Sequence, residues 1–203
     1  GKGSDLDLSY DIPKKKWNRI KFSHINLGYW NNYHNHQPVN PNKSIDICAI
    51  FQTFHDECRD HGVRNDIPYI KHRKEVWDRL SKIKDKYNTI SKKLPFQDYI
   101  EKLANSKVCI SPFGQGELCF RDFEAMLTGT ILIRPDQSNV VTSPNIFVEG
   151  ETYIGCKLDW SDLEEKIENT LDNFNELNDK FTSNIRNKFN KEYTLENFCM
   201  HYY

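Results

Sequence analysis

Apolar positions along the chain follow two periods. Short unbroken apolar runs occur at residues 45–51 (IDICAIF), 108–110 and 130–133, the pattern of strands covered on both faces. Between them the spacing becomes helical. Ile70, Val76, Trp77, Leu80 and Ile83 predict a helix that starts at Pro68 and runs to about residue 86, with proline well placed in a first turn. Further helices are predicted at 96–104, from about Glu117 to Thr128, from the acidic Asp159-Trp160-Ser161-Asp162 opening through Leu163, Ile167 and Leu171, and at 174–189 and 194–201. Residues 87–90, 146–148 and 153–156 read as short strands, the last two near a sheet edge. Strands alternating with helices predict an α/β fold: a doubly wound, mainly parallel Rossmann-like sheet with C-terminal helices. Residues 1–44 lack sustained periodicity and are expected to form an extended segment leading into one domain at 45–203.

At 203 residues the chain has material for one sizeable core. A net charge of −1 with dispersed basic residues gives no electrostatic footprint for nucleic acid. No apolar run approaches the length of a membrane span, and the first thirty residues are too polar for a signal peptide. Cys48, Cys58, Cys109, Cys119, Cys156 and Cys199 show no C-x-x-C spacing. They read as reduced, mostly buried thiols, which points to a cytoplasmic location.

The chemistry concentrates in residues 111–136, SPFGQGELCFRDFEAMLTGTILIRPD. Pro112, Gly114 and Gly116 stop the apolar run before them and let backbone approach a ligand. The first-turn N–H groups of the helix that follows have no intrahelical partners and favour an anion. On that helix Glu117, Arg121, Glu124 and Thr128 fall on one stripe, opposed by Leu118, Phe123, Met126 and Leu127. A cation thus lies between two carboxylates. The bland alternative is an ordinary Glu117–Arg121 ion pair on a surface helix.

This segment resembles the donor-binding segment of GT-B glycosyltransferases, in particular exostosin-like and "glycosyltransferase group 1" enzymes, where a glycine loop precedes a helix bearing E-A-[LM]-x-x-G. Here the pattern is Glu124-Ala125-Met126-Leu127-Thr128-Gly129. The resemblance implies half of a GT-B fold, with Glu124 on the ribose of a nucleotide sugar, Arg121 on its diphosphate, and Gly114 and Gly116 facing the phosphates. Retaining members commonly carry two glutamates with seven residues between them, whereas Glu117 and Glu124 have six between them. Glu117 is nevertheless the catalytic candidate on this chain, the alternative being a base that lies outside it. Arg64, Lys71 and Arg73 follow the first strand where GT-B domains often supply cations to the donor phosphates; Arg64, beside Gly62, ranks first and Lys71 second.

The histidines 34, 36, 55 and 61 and the Asp5-Leu6-Asp7 letters lack the structural frame of a metal site, so no metal is assigned. The aromatic cluster Tyr29, Trp30 and Tyr33 suits either stacking on a sugar or anchoring the leading segment. The function expected from the resemblance is transfer of a sugar from a nucleoside diphosphate, UDP favoured over GDP, to an acceptor hydroxyl on a glycan or glycoprotein. No further cofactor is expected, and the chain would be one domain of a larger glycosyltransferase. The rivals are a sugar-nucleotide epimerase of related architecture and a nucleotide-sugar-binding module without catalysis.

Overall fold

A computed structural model of the chain describes residues 42–51, 68–114, 117–140 and 145–192. Five parallel strands form one sheet: β1 (Ile45–Cys48), β2 (Thr89–Ile90), β3 (Ser106–Ile110), β4 (Ile131–Pro135) and β5 (Ile154–Cys156), in the order β2-β1-β3-β4-β5. The helices are α1 (Pro68–Leu80), α2 (Phe96–Ala104), α3 (Phe120–Leu127), α4 (Leu163–Asp172) and α5 (Phe174–Glu192). In register, Ile47 and Cys48 pair with Val108 and Cys109, which pair with Ile131 and Leu132.

The strands feed two separate cores, one on each face of the sheet. Cys48, Cys109 and Leu132 pack under α2, α3 and α5 through Tyr99, Leu103, Phe123, Met126, Phe181 and Phe189. Ile47, Val108, Ile110 and Ile133 pack on the other face against Val76, Leu80, Trp160, Leu163 and Ile167 of α1, α4 and the turn before α4. The sheet is therefore doubly wound, and its strands read as continuous apolar runs because both faces are covered. Crossovers leave β1 and β3, which are adjacent in space, towards opposite faces. Such a reversal opens a crevice beyond the carboxyl ends of those two strands.

Several boundaries differ from the sequence expectation for identifiable reasons. The first helix ends at Leu80, and residues 81–86 continue as turns closed by bonds such as Ile83 N–H to Leu80. Residues 146–148 form no strand: Val148 N–H is taken by the Thr152 hydroxyl, and the sheet edge is β5. Residues 194–201, expected to be helical, lie outside the described residues. The largest difference concerns α3, which begins at Phe120 and not at Glu117. The Asp122 carboxylate accepts the Cys119 N–H at 2.7 Å, making Cys119 the cap residue. At the other end Gly129, at φ 64°, closes the helix with bonds from Thr130 N–H to Ala125 and Gly129 N–H to Met126, a Schellman motif.

Candidate functional site

The β3–α3 connection lies at the carboxyl end of the sheet, beside the β1–β3 crevice. Arg121 joins the two strand ends: its Nε donates to the Ile50 carbonyl at 3.0 Å beyond β1, and its Nη1 to Ser111 Oγ at 3.4 Å beyond β3. The guanidinium also lies 5.5 Å from the centre of the Phe51 ring, within cation–π range. Arg121 is thus half-buried in the crevice and not spread on an exposed face.

The expected stripe of Glu117, Arg121, Glu124 and Thr128 does not form. Glu117 precedes α3, and its carbonyl accepts bonds from Arg134 Nη2 and, at 3.0 Å, from Gln137 Nε2. Those two donors hold residue 117 in the loop, which is why the helix cannot begin there. Glu124 is 5% exposed, with its Oε2 accepting the Tyr99 hydroxyl at 2.8 Å. Burial of Tyr99, then the nearby Cys109 and Glu124, push its phenol far above the usual value, so the hydroxyl stays a donor. Thr128 is buried and returns its hydroxyl proton to the Glu124 carbonyl at 2.9 Å. The residues read as a polar face are therefore mostly inside.

Beneath the loop lies an ion pair that the pattern of the sequence did not suggest. Asp122 and Arg134 have side chains 1% exposed and meet at 2.9 Å. Asp122 also accepts Ser111 Oγ–H at 2.6 Å. Arg134 stacks 4.9 Å from the Phe147 ring centre. Ser111, Cys119, Asp122, Arg134 and the Glu117 carbonyl thus form one network tying β3, β4 and the start of α3 together. A signal did exist: an arginine inside the apolar run ILIRP, and an aspartate three residues after the cap position. Cysteine is an unusual cap, which hid the second clue.

The Cys119 thiol stays neutral. Burial, followed by the Asp122 charge, pushes it up to about 11, and it points to the Pro112 carbonyl at 3.6 Å. No negative sulfur therefore competes for the start of α3.

Of the cations expected after β1, Lys71 is exposed on α1, whereas Arg73 is buried and donates from Nε to the Phe113 carbonyl at 2.8 Å. Gly114 is buried in the same loop. Arg64 and Gly116 lie outside the described residues, as do the histidines 34, 36, 55 and 61. Among the described residues no group of three or more His, Cys, Asp and Glu side chains is arranged to hold a metal ion, and no helix is long and apolar enough to cross a membrane. The structure therefore brings Gly114, Arg121 and Arg73 to one loop, leaves Lys71 outside it, and keeps Glu124 under Tyr99.

No protein-family model matches the chain, and no curated protein matches its sequence. Its fold is similar to part of the crystal structure of TarM, a glycosyltransferase, with a TM-score of 0.51 and 15% identity over 82% of this chain and 36% of TarM. The chain spans little more than a third of TarM's length. At this identity the likeness establishes a shared α/β Rossmann-like fold alone.

Proposed function

We propose that this chain is the donor-binding domain of a glycosyltransferase, taking a nucleoside diphosphate sugar at the carboxyl end of its sheet. The observation that carries the reading is the placement of Arg121. Its guanidinium bonds the Ile50 carbonyl beyond β1 and Ser111 Oγ beyond β3 from the first turn of α3, at the start of the loop that carries Gly114. A diphosphate suits that arrangement through charge-assisted hydrogen bonds. During transfer, negative charge grows on the leaving diphosphate, and fixed cations and N–H groups stabilise it without reorganising. The acceptor is a hydroxyl on a glycan or glycoprotein, with uridine favoured over guanosine as the donor's base by the sequence resemblance. Glu124, held by Tyr99, is the ribose ligand in this reading. The group that activates the acceptor comes from another domain or from Glu117.

Calorimetry tests the reading. UDP or GDP should bind, and uridine and guanosine far more weakly, since the diphosphate carries the charge. Arg121→Ala should lose roughly 1.5–3 kcal/mol of diphosphate affinity, the worth of a hydrogen bond to a charged group, measured where the ligand-free variant is still folded. Equal affinity for each nucleoside and its diphosphate would remove the basis of the proposal.

A further inference from the structure

Two consecutive residues of α1 grip Phe113 from the face of the sheet opposite α3. The His72 ring stacks on the Phe113 ring at 5.1 Å, and Arg73 Nε holds the Phe113 carbonyl at 2.8 Å. In a planar trans peptide the carbonyl of one residue and the N–H of the next point in opposite directions. With the Phe113 carbonyl turned to Arg73, the Gly114 N–H is turned away from it. Gly114 is buried, and no described residue accepts a bond from its N–H. A buried donor left in that state costs free energy, and native chains normally pair it. Position 114 is also crowded: a Cβ there would meet Cys119 Sγ at 3.2 Å and Arg73 Nη2 at 3.4 Å. The loop that leads from β3 to α3 is thus held in a conformation in which the Gly114 N–H has no acceptor among the described residues.

We propose that Arg73 is a positioning residue for a diphosphate, fixing the Phe113–Gly114 peptide so that the Gly114 N–H donates to a phosphate oxygen alongside Arg121. The inference rests on the donor-binding reading above and adds a residue and a donor atom to it. What matters is the direction of the Nε bond and not the charge alone. Lysine would keep the cation but lacks the planar guanidinium that holds the carbonyl sideways.

The test is a titration of isotope-labelled protein with UDP, inorganic pyrophosphate and uridine, following backbone amide resonances. In the wild-type protein the Gly114 amide proton should move downfield with UDP and with pyrophosphate, and stay in place with uridine. Arg73→Lys should weaken both phosphate ligands about tenfold, equivalent to about 1.4 kcal/mol, and abolish the Gly114 shift while sparing uridine. Wild-type affinity in Arg73→Lys would overturn the positioning role and leave only a charge. A Gly114 amide unmoved by bound UDP in the wild-type protein would overturn it with no variant needed, and would leave the donor-binding reading standing. Failure of the wild-type protein to bind UDP, GDP or pyrophosphate would instead remove that reading, and this inference with it.

Discussion

The two edges of the sheet handle polar groups in opposite ways. At the amino-terminal edge, donors and acceptors close on one another. Lys43, 7% exposed, donates from Nζ to the Ala104 carbonyl at 2.6 Å and to the Thr128 carbonyl and Thr130 Oγ1 at 3.3 Å each, covering the last turns of α2 and α3. A cation there also meets the negative ends of two helices. Thr130 Oγ1 donates to the Leu103 carbonyl at 2.7 Å, and the Schellman turn at Gly129 satisfies the end of α3. At the carboxyl edge, Arg121, Arg73 and Arg134 are spent on carbonyls and on Asp122, yet the Gly114 N–H has no described acceptor. The closed edge is a structural seam. The other edge is held by its arginines and keeps one donor without an acceptor among the described residues, as the proposed anion site requires.

The contrast is broken most severely at Arg134. Arg134→Met should lower unfolding stability by about 3–5 kcal/mol, because it leaves the Asp122 carboxylate buried without its cation. Urea denaturation monitored by tryptophan fluorescence checks it. A loss below about 1 kcal/mol, the scale of an exposed pair, would mean that the network under the loop contributes little.

A pH series sharpens the comparison with a smaller effect. Burial, then the Arg73 charge, lower the His72 imidazole to about 4, and its Nδ1 accepts the Trp160 Nε1–H at 3.2 Å, which requires the neutral ring. The folded value lies below the ordinary 6.5. This contribution is therefore fully present above pH 6.5 and is lost as pH falls through that value towards about 4, where the loss has grown to about 3 kcal/mol. The carboxyl edge should loosen first in acid. Denaturation curves of wild-type and His72→Gln protein between pH 7 and 4 should converge as pH falls; parallel curves would show that His72 does not titrate in this way.

The smallest effect belongs to the closed edge. Gly129→Ala places a Cβ at φ 64°, where a side chain costs roughly 1–2 kcal/mol. Because Gly129 lies at the far end of α3, the variant should melt earlier and still bind UDP as the wild type does, by thermal shift and calorimetry. A change in affinity would show that the two edges are coupled through α3.

The layers of the fold were legible because strand and helix periods are local properties of a covalent chain. The apolar runs at 108–110 and 130–133 gave β3 and β4, residues 96–104 gave α2, and the E-A-M-L-T-G letters gave the end of α3 at Gly129. The glycine loop and Arg121 could also be named, since a loop between strand and helix keeps its place in any α/β packing. What periodicity misjudged was which polar residues face water. Glu124 and Thr128 share a polar stripe with Arg121 by spacing but are buried, Glu124 under Tyr99 of α2, because the neighbour that buries a helix face is supplied by another part of the chain. Only the tertiary structure paired Asp122 with Arg134 across twelve residues and brought Arg73 to Phe113 across forty. The sequence by itself determined the order of the main strands and helices, through local spacing and turn chemistry. Which charges are held, and which backbone donor finds no acceptor among the described residues, was decided by the crossing of α1 and α3 onto opposite faces, because desolvation and hydrogen-bond direction exist only once those faces are closed.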